Sequence, residues 1–252
     1  MSQVGVLFLH RFGGSALSWD AVLARLARGM EIATPDLPGF GSAAGAIGPF
    51  DIGAYADAAG SALDAMASKQ LLVVGHSMGG KIALAVAARR PVRLTGLVLL
   101  SPSPPTAEPM TDAERAAALA GWGDPAYVAA SIERTTAMPI SSEARATEMV
   151  GMLQTSAAAW RSWFEAGSRE DISKSMANIE VPTTILCGTA DRTIPLGVLR
   201  SEVAARLVDA EIIEIAGAGH LLPVEAPDTV AEAISRFGNS PAWQPTTSLP
   251  PG

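Results

Sequence analysis

The stretch Gly75-His76-Ser77-Met78-Gly79 lies between the apolar run Leu71–Val74 and the helix-forming segment Lys81-Ile82-Ala83-Leu84. A strand that turns sharply into a helix leaves its central residue in a strained backbone conformation. Side chains at 75 and 79 would clash across that turn, which accounts for the two glycines. Ser77 is then expected to project above the sheet near the positive end of the following helix, as an attacking hydroxyl. The bland alternative is a chance glycine-rich turn.

A serine nucleophile needs a base, and the sequence has three histidines: His10, His76 and His220. His76 is adjacent to Ser77, and consecutive side chains at a sharp turn point apart, so it is expected to pack behind the turn. His10 closes the first apolar run beside a glycine loop; it is the rival base, and its place suggests turn shaping. His220 lies in Ala216-Gly217-Ala218-Gly219-His220-Leu221-Leu222-Pro223, after the last strand candidate. Strand C-termini are where α/β sheets place their chemistry, so His220 is the expected base. Asp191, in Gly188-Thr189-Ala190-Asp191, follows another strand candidate and is the expected acid that fixes the histidine tautomer. Asp36 runs into Leu37-Pro38-Gly39, which reads as turn chemistry, and Asp209 precedes a strand on the wrong edge. Ser77, Asp191, His220 is the chain order this arrangement requires. Cys187 is expected to be a buried strand residue.

The elements that must position these groups are legible as apolar runs alternating with alanine-rich stretches. Strands are expected at 4–9, 30–34, 71–75, 95–101, 182–187 and 210–215, mostly buried on both faces. Helices are expected at 18–28, 53–68, 79–89, 196–207 and 226–237. The pattern predicts an α/β fold: a mostly parallel sheet of about six strands covered by helices on both faces. The interval between Ser101 and Pro182 is too long for a simple crossover. It opens with Pro102, Pro104, Pro105 and Pro109, then turns helical, with Thr111 and Glu114 as a capping box and Asp124, Ser141 and Ser156 as further helix starts. The expected organisation is a core at 1–103 and 179–239, an inserted helical cap at 104–178, and a loose tail at 240–252 with four prolines.

Composition narrows the partners. The 252 residues are 48% hydrophobic, enough for a sizeable core. A net charge of −7 without long like-charge runs argues against nucleic acid or an anionic membrane. One cysteine excludes an intrachain disulfide, and one cysteine with three histidines argues against a metal site. With no signal-like or membrane-spanning run at its start, the chain is expected to be cytoplasmic, a monomer or homodimer acting on a small molecule without a cofactor.

Taken together, the motifs resemble the α/β-hydrolase fold superfamily in its form with a Ser-Asp-His triad and a helical cap. The matching stretches are His10 to Ser15, Asp36-Leu37-Pro38-Gly39-Phe40-Gly41, Gly75 to Gly79, Gly188 to Asp191 and Gly219-His220. The resemblance implies an oxyanion hole from the backbone N–H groups of Phe12 and Met78. It implies a serine hydrolase that cleaves a small carboxylic ester, lactone or thioester through an acyl-enzyme. It also admits carbon–carbon bond hydrolases, cofactor-free haloperoxidases or perhydrolases, and receptor-like members that bind rather than turn over. Many members carry a β-hairpin ahead of the first strand; without one the sheet should be smaller at one edge. The family usually has His-Gly where this chain has His10-Arg11. The Arg11 side chain is expected either to pair with Asp36 or Asp191 or to reach solvent at the pocket mouth, where it would favour anionic substrates. Trp122, Trp160 and Trp163, with Phe164, Met138, Met149 and Met152, are candidates for an acyl pocket, the commoner alternative being the cap's own core.

Overall fold

The computed structural model describes residues 4–239, so the expected tail at 240–252 lies outside the described residues. Six strands form one sheet in the order β2-β1-β3-β4-β5-β6, every neighbouring pair parallel. They are β1 (Val4–Leu9), β2 (Glu31–Ala33), β3 (Gln70–His76), β4 (Leu94–Leu100), β5 (Thr183–Gly188) and β6 (Ala210–Ile215). The helices are α1 (Asp20–Leu23), α2 (Ile52–Ala65), α3 (Met78–Ala87), α4 (Asp112–Ala120), α5 (Pro125–Thr135), α6 (Ser142–Gln154), α7 (Ala157–Glu165), α8 (Leu196–Val198), α9 (Leu222–Glu225) and α10 (Pro227–Asn239). None of them is long and apolar enough to cross a membrane.

Period-two alternation splits the core into two layers. Val6, Phe8, Leu72, Val74, Val98 and Leu100 meet Trp19 and the inner face of α10, while Leu7, Leu9, Leu71, Val73, Leu97 and Leu99 belong to the layer of α2 and α3. Burial on both faces holds for β1, β3, β4 and β5 but not for the sheet edges. β2 and β6 are only partly covered, because an edge strand has a neighbour on one side and fewer helices above it. The helix expected over 18–28 is also shorter than expected. Arg25 and Leu26 bond back three residues rather than four, and the chain turns out at Gly29 with φ of +103°.

From β1 the chain goes to one side as β2, then crosses to the other side as β3. The β1/β3 boundary is therefore the switch point, where the loops diverge and leave a crevice. The long segment between β4 and β5 supplies four helices over this crevice. Each begins where the sequence indicated: Thr111 and Glu114 form a reciprocal capping box, and the side chains of Asp124, Ser141 and Ser156 accept backbone N–H groups of α5, α6 and α7.

Candidate active site

Ser77 stands between β3 and α3 with φ of 53° and ψ of −117°, a strained conformation for a residue with a side chain. A Cβ on Gly79 would come within 2.1 Å of the Leu9 carbonyl oxygen, and one on Gly75 within 2.5 Å of the Gly79 carbonyl oxygen. No side chain fits at either position, so the turn can close only with glycine there.

Three side chains from distant parts of the chain meet at this turn. Ser77 Oγ lies 2.9 Å from His220 Nε2, and His220 Nδ1 lies 2.8 Å from Asp191 Oδ2. With the Asp191 carboxylate accepting from Nδ1–H, Nε2 keeps its lone pair for the serine hydroxyl. The other Asp191 oxygen accepts the N–H groups of Thr193 (2.8 Å) and Ile194 (3.1 Å). Burial alone would raise the Asp191 carboxyl. The His220 ring and these hydrogen bonds outweigh it and hold the group below the ordinary carboxylate value.

The other two histidines brace the site. His10 Nε2 accepts the Leu37 N–H at 3.0 Å, which leaves Nδ1–H to donate to the Arg11 carbonyl at 2.7 Å. It thus ties the loop after β1 to the loop after β2, and burial pulls its pKa down to about 4. His76 Nε2 donates to the His220 carbonyl at 2.8 Å and holds the base loop from behind. Asp36 accepts from Ala16 N (2.6 Å), Ser42 N (2.7 Å) and Ser42 Oγ (2.6 Å), the turn role its sequence context suggested. Cys187 is fully buried, and burial raises its thiol to about 11.

Phe12 follows β1 in a turn closed by Gly14 N–H on the Arg11 carbonyl, and Met78 opens α3. Among the described residues, neither N–H has an acceptor. Two such free donors beside a serine hydroxyl suit a developing oxyanion.

The crevice is a cavity of about 530 Å³ between the strand ends and the inserted helices. Ser77, His220 and Arg11 reach it from below, and Met152, Trp160, Trp163 and Phe164 from the insert. The Phe12 ring packs on Trp160 and Phe164 with centroids 5.1 and 4.9 Å away, so the wall beside the serine is aromatic.

Two expectations about the pocket fail. Trp122 does not line it: it sits at the exposed end of α4, half-exposed, with Nε1 donating to the Thr155 carbonyl at 2.9 Å. Met138 is exposed as well, while Met149 is part-buried against the core. Arg11 pairs with neither Asp36 nor Asp191 and does not reach solvent. Its Nε donates to Glu148 Oε2 at 2.9 Å, Nη2 makes a second bond to the same oxygen, and Nη1 donates to the Phe12 carbonyl at 2.7 Å. Glu148 lies on α6, and both side chains are buried. A guanidinium neutralised in this way has no spare charge for an anionic substrate.

Sequence reasoning missed three further groups. Glu225 is buried, and its carboxylate accepts four backbone N–H groups: Ala137 (2.7 Å), Met138 (2.8 Å), Gly219 (3.0 Å) and Leu221 (2.8 Å). Lys81 is wholly buried on α3, donating to the carbonyls of Thr106 (3.0 Å) and Glu170 (2.5 Å), and burial lowers it to about 8. Glu108 lines the cavity. Only Lys81 carried a local sign, as a charge within an apolar helix.

The parallel sheet, the strained turn and the bonded serine, histidine and aspartate together define a hydrolase of the α/β class. Residues 6–233 match the Alpha/beta hydrolase family, and the chain belongs to it. An uncharacterized protein of Mycobacterium tuberculosis (strain ATCC 25618 / H37Rv) is 30% identical over 100 residues, which is 40% of this chain but only 29% of that protein. A pimeloyl-[acyl-carrier protein] methyl ester esterase of Aromatoleum aromaticum is 28% identical over 93% of this chain and 98% of its own length. The solved esterase EaEST from Exiguobacterium antarcticum superposes with a TM-score of 0.85 at 18% identity, covering 95% of this chain and 93% of the other.

Proposed function

We propose that the protein hydrolyses a small carboxylic ester, with lactones and thioesters open to the same chemistry, through an acyl-enzyme on Ser77. The observation that carries this reading is the continuous chain from Ser77 Oγ through His220 to Asp191, opening onto a cavity of about 530 Å³. That volume suits a small-molecule substrate. In the reaction, His220 Nε2 takes the serine proton as Oγ attacks the carbonyl carbon. The N–H groups of Phe12 and Met78 receive the oxyanion. Collapse expels the alcohol, which His220 protonates, and the same histidine then activates water to release the acid. Asp191 fixes the tautomer and stabilises the imidazolium. The inserted helices act as a cap that supplies the acyl-side wall through Trp160 and Trp163. The Aromatoleum relative is named as a methyl ester esterase and EaEST as an esterase, which favours esters within this chemistry.

The test is p-nitrophenyl butyrate hydrolysis. Ser77→Ala and His220→Ala should each lose at least ~1,000-fold in kcat while keeping the native circular dichroism spectrum. An alkyl fluorophosphonate should add its mass at Ser77 and nowhere else. Unchanged turnover in Ser77→Ala would refute the acyl-enzyme.

A further inference from the structure

Glu108 is a carboxylate inside the reaction cavity that the scheme above does not use. Four contacts fix it: its N–H donates to the Ser168 carbonyl at 2.8 Å, its own carbonyl accepts from the Met110 N–H at 2.7 Å and from Arg115 Nη2 at 3.4 Å, and Oε1 accepts from the Ser103 hydroxyl. Ser103 is itself fully buried, and its N–H donates to the Ser77 carbonyl at 3.0 Å. The carboxylate is therefore braced directly on the serine turn. Its second oxygen, Oε2, has no hydrogen-bond partner among the described residues, although Glu108 lines the same cavity as Ser77 and His220. Much of that cavity wall is aromatic, and burial raises the Glu108 pKa. Glu108 is only partly buried, so Oε2 faces the open cavity, where a donor on a bound molecule can reach it.

The surrounding charge indicates which kind of donor. Lys81 and Arg115 both act to lower the Glu108 pKa against its burial, yet neither donates to the carboxylate. Lys81 is spent on the carbonyls of Thr106 and Glu170, and Arg115 on Ser168 Oγ and the Phe164 carbonyl. Both cations already act on Glu108, so an ammonium gains less there than beside an isolated carboxylate, while a neutral hydroxyl gains a charge-assisted hydrogen bond.

We propose that Glu108 Oε2 is a specificity-determining acceptor, and that the preferred substrates are esters bearing a hydroxyl group on the acyl chain or the alcohol. This rests on the ester-hydrolase reading, and the test separates the two. Matched pairs differ only in hydroxyl against methyl: methyl 3-hydroxybutanoate with methyl 3-methylbutanoate, methyl 6-hydroxyhexanoate with methyl heptanoate, and 2-hydroxyethyl butanoate with propyl butanoate. In at least one pair the wild type should favour the hydroxyl member about tenfold in kcat/KM. Glu108→Gln, which keeps the size and the acceptor for Ser103, should shrink the ratio, and Glu108→Leu should bring it to about one. Methyl 6-aminohexanoate should do no better than its hydroxyl analogue; a preference for it would replace the neutral-donor assignment with an ion pair. The same pairs are titrated into Ser77→Ala protein, read by intrinsic tryptophan fluorescence, to which Trp160 and Trp163 of the cavity wall contribute, with and without the Glu108 substitutions. If no ester turns over but the Kd ratio appears and then vanishes with Glu108→Leu, the hydrolase reading falls and this inference stands. Equal Kd values within every pair, or a ratio that survives Glu108→Leu, overturn it.

Discussion

At the mouth of β1 the Arg11 guanidinium spends Nε and Nη2 on Glu148 and Nη1 on the carbonyl of Phe12, the residue whose N–H is proposed to receive the oxyanion. The pair thus links α6 of the insert to the loop that carries the donor. Both side chains are almost wholly desolvated, at 10% and 3% exposure, so removing one leaves the other charge uncompensated. Arg11→Met or Glu148→Gln should each cost about 3–5 kcal/mol in urea unfolding, whereas Arg11→Met combined with Glu148→Leu should recover most of that loss. In activity, Arg11→Met should lower kcat/KM for neutral and anionic esters in parallel. A fall confined to anionic esters would mean that Glu148 does not neutralise the guanidinium.

Between elements, the junction of α5 and α6 with the loop before α9 joins insert to core. The Thr135 carbonyl at the end of α5 accepts the His220 N–H at 2.7 Å, and Glu225 gathers N–H groups from both segments on one carboxylate. Glu225→Ala would orphan four backbone donors, two of them buried. It should speed hydrogen exchange at 137–138 and 219–221 together and lower kcat at least tenfold, while Glu225→Gln, which still offers one acceptor oxygen, should restore part of both. Exchange that accelerates in one segment alone would show that the two are not coupled through this residue. Such couplings mark the boundary of what the sequence discloses. The glycine pair at 75 and 79, the four capped helix starts and the apolar runs of the central strands are local features, each written within a few residues, and all were legible. Arg11 with Glu148 and Glu225 with Ala137 bridge 137 and 88 positions, and nothing local selects those partners. The partly covered edges, β2 and β6, depend on sheet order, which short apolar runs do not encode.

Across the whole molecule, two buried histidines make acid stability a property of the site's own bracing. His10 must be neutral to accept the Leu37 N–H, and burial pulls it from 6.5 to about 4. His76 is likewise held well below 6.5, with burial as the main cause and His220 adding to it. In the unfolded chain both return to about 6.5. Between pH 6.5 and about 4 the unfolded state therefore binds protons that the folded state refuses. Since stability rises with pH wherever the unfolded state holds more protons, it must fall as pH drops through this window. His10 alone accounts for about 3 kcal/mol across the window. Asp191 adds a loss of the same direction at lower pH, because its folded pKa lies below 3.8 and its stabilisation disappears as the carboxyl protonates. The two loops that lose their brace are those carrying Phe12 and His220, so acid should dismantle the proposed oxyanion and base positions along with the fold. Urea unfolding free energies measured from pH 7 to 4 should decline steadily, and His10→Gln, which does not titrate, should flatten the slope by roughly half of the two-histidine effect. A wild-type curve that stays level down to pH 4 would mean that neither ring is held neutral in the folded protein.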